Sequence, residues 1–104
     1  YINIDSSNAV TVVGNITPVG SAPMAMTGSP LTAPAVPGAN SVYWIIQANL
    51  TTGALSIKQA TGASGNNSFF PAPDAGNSLI YQQETKSTDG TNDKSGNRNY
   101  DDNW

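Results

Sequence analysis

The sequence predicts an all-β protein, built as a small antiparallel β-sandwich or open barrel. Apolar and polar residues alternate with a period of two in several segments, which is the pattern of half-buried strands. Short clusters of Gly, Asn, Ser and Asp separate these segments, as turns between strands do. No segment shows a convincing helical pattern, so we expect strands and loops only.

The segment from Ser41 to Gln59 carries the clearest strand pattern in the chain. Its even-numbered positions from 42 to 50 are all apolar, whereas the odd-numbered positions become polar after Ile45. Thr51-Thr52-Gly53 follows as a short connection in which Gly can adopt a positive φ. Leu55 and Ile57 then alternate with polar residues. These features predict a β-hairpin at the centre of the domain.

Three further strands are expected around this hairpin. Residues 1–5 and 9–16 alternate and flank a polar turn at 6–8, which predicts an opening hairpin with a bulge at Gly14. Residues 78–84 form a fifth strand. Phe69 and Phe70, which come before it, are expected to cap the core.

Residues 17–40 form a Pro-rich arm. Five prolines in these 24 residues exclude a helix and favour an extended, polyproline-like course. Disordered linkers rarely carry several large apolar side chains, yet this arm has Met24, Met26, Leu31 and Val36. We therefore expect it to dock on a neighbouring surface with these four residues at the interface; the alternative is a plain flexible linker.

The C-terminal residues have a different composition. Eight of the eleven charged residues of the chain lie between Glu84 and Trp104, among Gly, Asn, Ser and Thr. The sequence thus predicts one β domain at 1–84, which includes the arm, and a polar extended tail at 85–104. Tyr100 and Trp104 are candidate anchors on a partner surface, although a frayed terminus explains the composition equally well.

Composition narrows the classes of function. The net charge is −3 with four cationic residues, so no basic patch for nucleic acid can form. No apolar run is long enough for a membrane-spanning helix. The chain has neither His nor Cys, and we expect no catalytic residues, no metal and no cofactor. Because it starts at Tyr1, inside a strand pattern, we expect a processed product or a fragment.

A set of motifs resembles short β-structured modules of bacteriophage virion proteins, in tail fibres, baseplates and capsid decoration. A valine-rich strand is followed by S-P-L-T-A-P-A-V-P-G-A-N-S, V-Y-W-I-I-Q, T-T-G-A-L-S-I and P-A-P-D-A-G-N-S-L-I-Y within residues 1–84. The resemblance implies a non-enzymatic part of a virion that binds other copies of itself, often as a trimer, and other virion proteins. A host surface glycan is a further partner in that setting.

An extracellular carbohydrate-binding or adhesin module is the alternative function. Exposed aromatic rings beside amide side chains suit the faces and hydroxyls of sugars. A platform of that kind can be drawn from Tyr43, Gln47, Asn49 and Tyr81. Aromatic residues that alternate along a strand also pack between sheets or across subunit interfaces, and that reading competes with the sugar platform.

Overall fold

The computed structural model describes residues 1–37, 41–60 and 70–86, and these residues form strands and loops without a helix. All pairings between the strands are antiparallel. The predicted all-β class is confirmed. The eight strands are β1 (Ile2–Ile4), β2 (Ala9–Val12), β3 (Asn15–Ile16), β4 (Met24–Ala25), β5 (Leu31–Thr32), β6 (Ser41–Asn49), β7 (Leu55–Gln59) and β8 (Asn77–Lys86).

The first layer is a three-stranded sheet in the order β1-β2-β5. The predicted opening hairpin is confirmed, with Ile2 opposite Val12 and Ile4 opposite Val10. The Asp5 carboxylate closes its turn by accepting hydrogen bonds from the backbone N–H groups of Ser7 and Ala9. β2 ends at Val12, earlier than the sequence pattern indicates, because the chain turns at Gly14 and starts a separate pairing at β3.

The second layer is a three-stranded sheet in the order β7-β6-β8. The predicted central hairpin is confirmed, with Ala48 opposite Leu55 next to the turn. β8 pairs along the whole of β6, from Asn49 opposite Asn77 to Ser41 opposite Lys86. The fifth predicted strand therefore exists and runs two residues past the point where the sequence predicts the tail to begin.

The core lies between these two layers, as in a β-sandwich. The even-numbered residues of β6 from Val42 to Ala48 face Ile4, Val10 and Val12 of the first layer, and all are buried. The Trp44 and Tyr81 rings pack at a centroid distance of 5.9 Å. The alternation read from the sequence therefore identifies the buried face of the central strand correctly.

A buried polar ladder runs along the core face of β8. The Tyr81 hydroxyl donates to Gln83 Oε1, and Gln83 Nε2 donates to the Thr85 hydroxyl, which also accepts from Trp44 Nε1. Gln83 and Thr85 are fully buried. Because buried polar groups are costly unless they are bonded, this ladder allows a polar strand to face the core.

The Pro-rich arm packs on its own domain. β4 pairs with β3, β5 pairs with β2, and the Ser29 hydroxyl bonds to both the N–H and the carbonyl of Val12. Thr27 donates its N–H to the Gly53 carbonyl and accepts from the N–H of Leu55, so the arm also touches the central hairpin. These contacts within the chain come in addition to the expected docking on a neighbouring surface, which stays a prediction.

No helix in the described part of the chain has the length and apolar character needed to cross a membrane.

Candidate interaction groove

An open groove lies between the start of β8 and the corner that joins β2 to β3. Its volume is about 420 Å³. Among the described residues that line it, none has a charged side chain; they are Tyr1, Val13, Gly14, Asn15, Ile16, Thr17, Pro18, Met26, Leu50, Ser78, Leu79 and Ile80. We refer to this site as the end groove.

The end groove holds most of the exposed large apolar residues in the described part of the chain. Five large apolar side chains are substantially exposed in the described ranges, and four of them line this groove. The exposed fractions are 72% for Tyr1, 57% for Val13, 39% for Leu50 and 42% for Leu79. Single exposed apolar residues are ordinary on a protein surface, but a contiguous set usually marks a binding surface.

Local backbone geometry turns these side chains outward. Val13 follows the buried Val12, and adjacent residues of an extended chain point to opposite sides. The pairing of β6 with β8 shifts register between Ile46 and Gln47, so that Ile80 is buried while Leu79 faces solvent. The sequence patterns did not indicate this groove. The sequence feature that could have indicated exposed apolar residues is the pair of adjacent apolar residues, at Val12-Val13 and at Leu79-Ile80. One sheet face cannot bury both members of such a pair.

Part of the groove wall comes from the Pro-rich arm. Met26 and Leu31 are half-buried against the core, and Met26 also lines the end groove. Met24 and Val36 are half-buried as well. The role of these four residues at an interface between copies stays a prediction, now with Met26 as the member that reaches the groove. Tyr100 and Trp104 lie outside the described residues.

The outer face of the β7-β6-β8 sheet is crossed by residues 70–74, which we call the strap. The Phe70 ring meets the Tyr43 ring edge-on, with centroids 5.0 Å apart. At the other end, the Asp74 N–H donates to Gln47 Oε1 and the Asp74 carboxylate accepts from Gln47 Nε2. Ile45 lies between these two contacts on the same face and is fully buried. Phe70 therefore covers the outer face, not the core between the layers as the sequence suggested.

Lys58 fastens the strap from the neighbouring strand β7. Its ammonium group lies 2.9 Å from the Asp74 carboxylate and 2.8 Å from the Ala72 carbonyl oxygen. The hydrogen bond from Lys58, together with one from Gln47 and the positive charge of Lys58, lowers the pKa of Asp74. Burial, with a smaller contribution from the nearby Glu84 carboxylate, raises the pKa of Tyr43.

The four residues of the predicted sugar platform do not form one exposed surface. Tyr81 is 3% exposed and lies on the core face, opposite to Tyr43. The Gln47 amide is buried and bonded to Asp74 and Ser56. Asn49 caps the hairpin turn by accepting from the backbone N–H groups of Thr51 and Thr52. The predicted platform is wrong because the strap and the core use these side chains.

Metal-ligating side chains do not cluster in the ranges that the structure describes. Comparisons with protein-family models, with curated proteins and with solved structures gave no match to this chain.

Proposed function

We propose that this protein is a non-enzymatic structural subunit that assembles with other copies of itself. The observation that carries the proposal is the end groove, where four exposed apolar side chains meet. Apolar surface of this kind gains free energy when a partner removes it from water. A groove whose described lining has no charged side chain also suits the centre of a protein interface, where charged residues are depleted.

A bacteriophage virion is the particular assembly that we propose, in a tail fibre, a baseplate or a capsid decoration. The motifs of residues 1–84 support this part of the proposal through their resemblance to such modules. The small number of charged residues fits the same role, since 11% is well below the roughly 25% of ordinary soluble domains. A surface with few charges resists close packing against other subunits less than a highly charged one does.

Light scattering coupled to size-exclusion chromatography tests the assembly. We expect a mass above that of the 10.8 kDa chain, and the virion modules that the chain resembles are often trimers. A monomer at every concentration from micromolar to millimolar would contradict the proposal.

Antibodies raised against the domain test the virion assignment. We expect them to label purified particles at regular positions in electron micrographs. If the antibodies bound a soluble or cell-wall fraction and did not bind the phage particles, the assignment to a virion would be wrong. The proposed self-assembly would not be affected by that result.

A further inference from the structure

We propose that the end groove binds the aromatic C-terminal segment of a second copy, with Tyr100 and Trp104 as the side chains that enter it. This inference rests on the proposed self-assembly and specifies how it occurs. Each copy would contribute a groove at one end and a tail from the other, so that the contact is head-to-tail.

The content of the chain outside the described ranges narrows the choice of occupant. Residues 38–40, 61–69 and 87–104 contain three large apolar or aromatic side chains, Phe69, Tyr100 and Trp104. Phe69 is next to Phe70, whose ring is engaged by Tyr43 on the outer face of the sheet. Tyr100 and Trp104 are thus the aromatic residues outside the described ranges that are not adjacent in sequence to the strap.

The side chains of Tyr100 and Trp104 also suit the mixture of apolar and polar groups that lines the groove. Aromatic side chains with a polar edge are the usual anchors of protein interfaces, because they bury a large area and still satisfy a hydrogen bond. The groove offers apolar walls from Leu50 and Leu79 and polar groups from Asn15 and Ser78. Such a site can hold the rings of Tyr100 and Trp104 while their O–H and N–H groups find acceptors.

β8 carries the chain away from its own groove before the tail begins. Leu79 lies at the groove, and β8 then runs to Lys86, about 23 Å away at the rise of a β-strand. The fourteen residues from 87 to 100 can extend up to about 46 Å. This length spans the distance of about 23 Å along β8 in either direction, and the proposed self-assembly selects the groove of a second copy. A head-to-tail contact of this type closes into a ring, such as a trimer, or continues as a filament.

Complementary variants test the proposal. The tail variant Y100A/W104A keeps its groove, and the groove variant L50D/L79D keeps its tail. Each alone should be monomeric in sedimentation equilibrium, with self-association weakened by at least about 30-fold. An equimolar mixture should form a 1:1 dimer and nothing larger, because only one intact groove and one intact tail can meet.

The outcomes separate this inference from the function on which it rests. If the wild type assembles and both variants assemble equally well, head-to-tail binding is wrong but self-assembly stands. If the wild type is a monomer, the proposed function fails too. Two monomeric variants that do not pair in the mixture would also overturn the inference. V19D is the matched control, since Val19 is fully exposed at 104% and does not line the groove; it should assemble like the wild type.

A cysteine pair gives a second readout that does not depend on loss of binding. The chain has no Cys, so S78C/N103C introduces one thiol at the groove and one beside Trp104. Mild oxidation should give disulfide-linked multimers on a non-reducing gel. An intrachain disulfide, seen as a faster-migrating monomer, would show that the tail folds back on its own groove, and no disulfide would show that it binds elsewhere; both results overturn the proposal.

Discussion

Gly53 lets the central hairpin touch the Pro-rich arm. It has a φ of +76°, and a Cβ built on it would clash with the Ala25 carbonyl oxygen. Gly53 to Ala should therefore destabilise the protein in two ways. The left-handed backbone costs about 1–2 kcal/mol with a side chain, and the clash with backbone adds about 1–3 kcal/mol. Urea unfolding of G53A and the wild type measures the sum of these two losses of unfolding free energy.

Gly76 separates these two contributions. Its φ is +79°, close to that of Gly53, but a Cβ there has no neighbour within 4 Å in the described structure. G76A should therefore lose only the cost of the left-handed backbone. Equal losses of unfolding free energy in G53A and G76A would contradict the close approach of hairpin and arm.

Single residues also show where sequence reasoning succeeds. Val42, Trp44, Ile46 and Ala48 could be assigned to the core because a period of two places them on one face. The exposure of Leu50, the next residue in this series, could not be predicted from the same pattern. The strand ends at Asn49, and the turn carries Leu50 away from the layers. Periodicity gives the face of a strand but not the point at which the opposite layer stops covering it.

The strap is an element whose stability should depend on pH. The pKa of Asp74 is lowered in the folded protein by Lys58 and Gln47. A carboxylate with a lowered folded pKa contributes stability above its unfolded pKa of about 3.9, and that contribution is lost as pH falls through the folded pKa. We expect the unfolding free energy of the wild type to exceed that of D74N at pH 7, with the difference shrinking below about pH 4.

Urea unfolding at several pH values between 2 and 7 measures this convergence. K58M is the control, because it removes the largest cause of the pKa shift while Asp74 can still titrate. Its pH dependence should lie between those of the wild type and D74N. A difference between wild type and D74N that stays constant down to pH 2 would be inconsistent with the Lys58–Asp74 contact.

The arm can be tested as a part of the monomer through Leu31. This residue is half-buried against the core in β5. L31A should lower the unfolding free energy by about 2 kcal/mol, at the low end of the range for Leu to Ala because burial is partial. Measured at low protein concentration, the loss should not depend on concentration. V19A, at the fully exposed position of the same arm, should change stability by less than about 0.5 kcal/mol.

Leu31 also distinguishes the two roles that the arm can have. If L31A left the stability of the dilute monomer unchanged but weakened association, the arm would act at an interface, as the sequence analysis expected. The sequence indicated correctly that the arm is extended and carries apolar side chains. It could not show where the arm docks, because β4 and β5 are two residues each and pair with strands that are distant in the chain.

At the scale of the whole molecule, the sequence predicted the hairpins within each layer but not the long-range pairings that complete the layers. Each hairpin is a local structure that turn residues and alternation can specify. The placement of β8 beside β6 is not local, since 27 residues separate Asn49 from the start of β8. The strap illustrates the same limit: its contacts link Asp74 to Gln47 and Lys58, and no spacing rule joins these positions. The end groove is formed by the same long-range pairings, so it too was beyond a reading of local patterns.

Self-assembly through the end groove should link stability to protein concentration. A partner that binds only the folded chain raises apparent stability by mass action, by up to about 1.4 kcal/mol for each tenfold rise in concentration. For a domain of this size, that corresponds to several degrees in the thermal midpoint. We expect the wild-type midpoint to rise over a hundredfold range of concentration in calorimetry, and that of L50D/L79D to stay constant. Both leucines are exposed, so the dilute variant should unfold near the dilute wild type. A midpoint that rises equally in both proteins would place the association elsewhere on the surface, and a constant wild-type midpoint would remove the link between assembly and folding.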